Sequence, residues 1–193
     1  MSSLTISGDT SGQITIEAPA VSGTNTQTLV AATGTLAPLI SGTAVASTSG
    51  TSIDFTSIPS WVKRITVMFN GVSLNGTSNF LIQIGSGSVT STGYISSSIV
   101  TETTGNTNLT STSGFAVRNS SIATSTVYGS LSIFLISGTT YIASHTFGDV
   151  VRTCATSGGG TSPALSAALD RVRITTVNGT DTFDAGSINI MYE

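Results

Sequence analysis

The chain has 193 residues, a net charge of −3 and 8% charged residues, against about 25% in an average globular protein. Its 32 Ser and 34 Thr make up about a third of it, and only six residues are basic. So few basic residues argue against a nucleic-acid interface, which needs a basic patch for phosphate contacts. One His and one Cys leave little from which to build a metal site or a polar catalytic cluster.

Disorder is the first alternative for a chain rich in Ser, Thr and Gly. Disordered chains combine low hydrophobicity with high net charge. Here 38% of residues are hydrophobic and the mean hydropathy is +0.33. With few charges to blunt its strand edges, such a chain needs those edges paired or covered. That points to an obligate oligomer. No run reaches the roughly 18 apolar residues that span a bilayer, so no membrane insertion is expected. The N-terminus has no apolar h-region, and the first basic residue is Lys63, so no secretory signal is read there. The lone Cys154 is expected to be a reduced thiol, buried or merely tolerated.

The chain divides near residue 50. Residues 1–50 contain no aromatic residue and no Lys or Arg. They read as short apolar beats between glycines, and Leu4-Thr5-Ile6 and Ile14-Thr15-Ile16 alternate with the strand period. Beats this short need neighbours to close a core. Three chains wound about one axis would supply them, with Leu4, Ile6, Ile14, Ile16 and Leu29 as shaft and trimer contacts. A flexible tether is the alternative. Fully extended, the segment reaches at most about 165 Å.

Residues 51–193 predict an all-β head domain. Ile65, Val67 and Phe69 alternate with Arg64, Thr66 and Met68, and Asn70-Gly71 then signals a turn. Phe80, Ile82 and Ile84 follow, then Phe115 and Val117. In 127–136 both faces are partly apolar, which predicts a central strand packed on two sides. Residues 141–147 alternate again, then Val172, Ile174 and Thr176, with a second turn at Asn178-Gly179. Ile188, Ile190 and Tyr192 close the chain. Residues 162–170 fit a short helix or a strand. The sum is an all-β chain, a C-terminal β-sandwich (jelly-roll-like) preceded by an extended, glycine-punctuated N-terminal β segment.

Constellations for chemistry are weak. Gly158-Gly159-Gly160 has no following Lys, fails the Walker pattern and reads as a flexible loop. His145, Asp149 and a Ser could nominally form a triad, but no nucleophile elbow is present; His145 is expected on a strand, facing solvent or a neighbouring chain. Asp181 and Asp184 more naturally cap turn amides than form a glycosidase pair. No catalytic residue, metal or cofactor is assigned, and the chain is not expected to be an enzyme. Residues 96–113 are rich in Ser, Thr and Asn with little core signal. They read as a long exposed loop or edge, with Thr101, Thr104, Asn106 and Asn108 as recognition candidates.

Three stretches carry a resemblance. Residues 42–79 (GTAVASTSGTSIDFTSIPSWVKRITVMFNGVSLNGTSN) resemble the opening of a domain found in tail-fibre-like and other virion proteins of tailed bacteriophages. Residues 169–193 (LDRVRITTVNGTDTFDAGSINIMYE) resemble its end, and 14–36 resemble a short repeat common upstream of it. The resemblance implies a virion structural protein assembled in the bacterial cytoplasm. It implies a homotrimeric fibre attached to other virion proteins through its N-terminal segment, with a head displayed outward to a host surface glycan or protein. A capsid decoration protein that stabilises the head without a host ligand is the alternative. A secreted adhesin and a glycan-cleaving enzyme rank below both.

Overall fold

The computed structural model of the chain describes residues 3–7, 11, 13–17, 37–103, 105–119 and 122–193. The chain separates into two units, Met1–Leu36 and Ala37–Glu193.

In the first unit, β1 (Ser3–Ser7) and β2 (Gln13–Glu17) form an antiparallel hairpin. Its register sets Leu4 opposite Ile16 and Ile6 opposite Ile14, so these four expected positions share one face. The side chains of Ile6 and Ile16 are more than half exposed. Leu29 lies outside the described residues.

The second unit begins well before residue 50. Strands β3 (Ile40–Ser41) and β4 (Val45–Ala46) pair with the terminal strand β16 (Phe183–Tyr192). Ser47 is fully buried and its hydroxyl donates to the Ala185 carbonyl at 2.8 Å. The glycine-punctuated stretch therefore ends inside the head, and the boundary moves from 50 to 37.

The remaining strands are β5 (Ser52–Thr56), β6 (Arg64–Leu74), β7 (Phe80–Ser86), β8 (Ser88–Val89) and β9 (Ile95–Glu102). They continue as β10 (Gly105–Ser111), β11 (Phe115–Val117), β12 (Val127–Ser137), β13 (Thr140–Asp149), β14 (Cys154–Thr161) and β15 (Arg171–Thr176). The larger sheet runs β10-β9-β14-β13-β12-β6-β16-β3, with β4 also on β16; the smaller runs β11-β7-β15-β5, with β8 on β7. No helix occurs among the described residues, and every ladder is antiparallel.

The alternation read from the sequence sets the core. Ile65, Val67 and Phe69 of β6 point inward with Leu131 and Ile133 of β12; Ile82 and Ile84 of β7 and Val172 and Ile174 of β15 close on them from the other sheet. Phe69 joins the layers, with its ring 5.3 Å from Phe80 and 5.0 Å from Phe147. Such ring pairs add to the burial of apolar area that drives the sheets together.

Three local expectations change. Asn70-Gly71 is not a turn, because β6 runs through it to Leu74. Gly71 (φ 67°) and Gly186 (φ 91°) lie where the registers of β6 shift. A Cβ on Gly186 would sit 2.3 Å from the Gly71 carbonyl oxygen, so the pair makes a bulge that needs glycine. Residues 162–170 form neither helix nor strand. Leu165 and Leu169 are nonetheless buried, and the Leu169 N–H donates to the Tyr141 hydroxyl at 3.1 Å. Among the described residues nothing covers the second face of β12, where Ile136 is 61% exposed and Phe134 only half-buried.

Candidate functional site

Most of the stretch 96–113 is β9 and β10, an antiparallel pair at one edge of the larger sheet, so of the expected loop or edge it is the edge. Alternation on β9 buries Ser96, Ser98 and Val100 and turns Ile95, Ser97, Ile99 and Thr101 outward. Thr101 stands directly opposite Asn106, and Asn108 opposite Ile99. Three of the four recognition candidates thus share the outer face of the hairpin. Thr104 lies outside the described residues.

Two open grooves follow this face. One of about 600 Å³ is lined by Ile95, Ser97, Thr110, Gly159 and others; a second of about 310 Å³ is lined by Ile99, Asn108, Ser157, Gly158 and others. Asn108 lines the second groove, while Thr101 and Asn106 lie beyond both. No carboxylate, imidazole, guanidinium, ammonium or thiol is among the lining residues. The surface can offer hydroxyl, amide and backbone hydrogen bonds and two isoleucine side chains. It cannot offer charge.

The inner side of the same strands is structural. Among the described residues, β11 pairs with β7 along one edge only. Its free N–H groups are taken by serines of the facing sheet: Ala116 N–H donates to Ser96 Oγ and Arg118 N–H to Ser98 Oγ, both at 2.9 Å. Thr156 of β14 donates its hydroxyl to the Arg118 carbonyl at 2.9 Å. Buried backbone groups need such partners.

His145 is buried, contrary to the expected surface position. It sits on β13 opposite Gly158, which is opposite Ser98. A Cβ at 158 would come within 2.7 Å of the His145 ring. Glycine there lets the imidazole cross the middle strand, and Nε2 lies 3.0 Å from Ser98 Oγ. Burial lowers the His145 pKa to about 4. Nδ1 has no hydrogen-bond partner among the described residues. Asp149 does not orient the ring; its Oδ1 accepts the N–H groups of Val151 and Arg152, and its other oxygen contacts Ser125. Among the described residues, the serine–histidine contact lacks the carboxylate on Nδ1 that a triad requires.

Gly158, Gly159 and Gly160 are strand residues, not a flexible loop. They run through β14 between β9 and β13, where a Cβ on Gly158 would meet the Ser97 carbonyl at 2.3 Å. Cys154 at the start of β14 is buried, and burial pushes its thiol pKa up. Asp181 Oδ2 accepts the Ser78 N–H at 2.9 Å, whereas Asp184 contacts the Ser73 hydroxyl. The two carboxylates serve separate partners. Among the described residues, no group of three or more His, Cys, Asp or Glu is placed to hold a metal.

Sequence reading missed the row of small residues beyond the hairpin. Strand registers align Ser97, Gly159, Ser144, Ser132 and Thr66 at one level across five strands. One level away lie Ile95, Thr161, Ile142, Phe134 and Arg64. The only local signal was the Ser/Thr alternation within each strand, and strand order was needed to join the segments. No protein-family model, curated protein or solved structure matches this chain.

Proposed function

We propose that the chain is a virion structural protein of a tailed bacteriophage: a homotrimeric fibre displayed on the particle. Its N-terminal segment attaches to other virion proteins, and its sandwich head contacts the host surface through the β9–β10 hairpin. The resemblance of residues 14–36, 42–79 and 169–193 supports the virion reading. The observation that carries the fibre reading is the N-terminal hairpin. Its four expected contact positions share one face, the Ile6 and Ile16 side chains on it are exposed, and among the described residues it has no third strand; a lone two-stranded hairpin is at best marginally stable. Other copies of the same segment would complete it. At the head, an uncharged hydroxyl and amide surface gives individually weak contacts, and many copies give avidity.

Two observations test this reading. Antibody raised against the protein should decorate virions of the phage that encodes it, in clusters projecting from the particle; absence from the virion overturns it. The purified protein should adsorb to host cells about equally at low and high salt, since screening acts on charged contacts. A steep loss of adsorption with salt contradicts the proposed mode of contact.

A further inference from the structure

We infer that the outer face of the larger sheet, from the Ile95–Ser97 end of β9 across β14, β13 and β12 to β6, is where the heads of neighbouring copies of this chain pack together, with the Thr101, Asn106 and Asn108 end of the hairpin left outside the contact. The inference rests on the homotrimer reading and names its contact surface.

Charge is partitioned between the two outer faces. The smaller sheet turns Asp54, Arg171 and Arg173 outward, with Arg173 held to Asp54 at 2.6 Å and Arg171 to Asp170 at 2.7 Å. That face is built for water. On β10, β9, β14, β13, β12 and β6, Arg64 is the single charged side chain turned outward; it sits at a corner, paired with Glu193. Packed copies bring identical side chains near one another at a symmetry axis. Like charges there would repel, whereas hydroxyls and isoleucines do not. Depletion of charge is also the mark of an interface core.

The face carries an apolar stripe at one end. Ile95 is 74% exposed, Ile136 61% and Ile142 38%, with Phe134 half-buried between them. The Ser97–Ser144–Ser132 row beside it is flat and short-chained, so another sheet can approach closely. Five strands about 4.8 Å apart and three rows about 6.8 Å apart give roughly 500 Å² on each partner, about 1,000 Å² for a pair, the size at which an interface becomes specific. Hydroxyls unable to donate across the contact retain cross-strand neighbours at the same level.

The test compares the solution mass of the full-length protein with that of two variants, Ser144→Arg and Ile95→Asp. Both sites are exposed, so folding, checked by circular dichroism and urea midpoint, should hold. Ser88→Arg, exposed on the smaller sheet, is the control. The expected result is a threefold fall in mass for both outer-face variants and none for the control. A wild type of three chains with both variants still of three chains overturns this face and leaves the fibre reading standing. A monomeric wild type overturns the homotrimer and this face with it.

Discussion

His145 and Ser98 bond across an intervening strand, with Nε2 to Oγ at 3.0 Å over the backbone of Gly158. The contact ties β13 to β9 without passing through β14's own ladder. It places a neutral imidazole in the interior, where protonation would cost the folded state its solvation.

A pH dependence follows. The folded pKa of His145 is about 4, below its ordinary value of 6.5. Between those values the unfolded chain binds the extra proton, so stability falls as pH drops from about 6.5 to about 4. The full loss is about 3 kcal/mol, from the separation of those two pKa values. Urea unfolding at pH 7 and pH 4.5 should show most of it, and His145→Gln should lose less over the same range. Equal losses would mean that other groups set the slope.

Gly158→Ala should lower stability by about 2 kcal/mol, as overpacking does, since its Cβ would strike the Ser97 carbonyl and the His145 ring. Ser157→Ala, at the neighbouring exposed position, should change the urea midpoint little.

Phe69→Ala should be the most damaging of the substitutions considered. The ring is 4% exposed and touches Phe80 and Phe147; its removal should cost about 3–5 kcal/mol, read as a lower thermal midpoint.

Thr153→Asn should stabilise the protein. Thr153 sits at φ 51° in the turn before β14, a left-handed conformation that β-branched residues resist and Asn tolerates. A gain of about 1 kcal/mol is expected. No gain in urea midpoint would mean that the turn holds no strain at this residue.

Asn106→Ala with Asn108→Ala should leave the urea midpoint within about 0.5 kcal/mol of wild type, as exposed positions do, yet weaken adsorption to host cells. Unchanged adsorption would remove the hairpin from the contact surface.

Strands with strict alternation were legible in the sequence: Ile65 to Phe69, Phe80 to Ile84 and Val172 to Thr176 each bury the expected face. Turn chemistry was legible only where nothing overrode it. Asn178-Gly179 turns the chain, with Gly179 at φ 69°, whereas Asn70-Gly71 is carried straight through by ladders to β12 and β16. The glycine run at 158–160 has no pattern of its own. It becomes strand because β9 and β13 leave no room for side chains there. The burial of His145 is a consequence of the same neighbours. Of the recognition candidates, composition marked the segment, but the shared face of Thr101, Asn106 and Asn108 depends on hairpin register, which composition does not carry.

The central claim is that three copies make one fibre. The most direct measurement is the mass of the purified full-length protein by light scattering across a range of concentrations. A trimer should read about 58.5 kDa, three chains of 19.5 kDa each in a closed ring. A single species of 19.5 kDa at every concentration would contradict it.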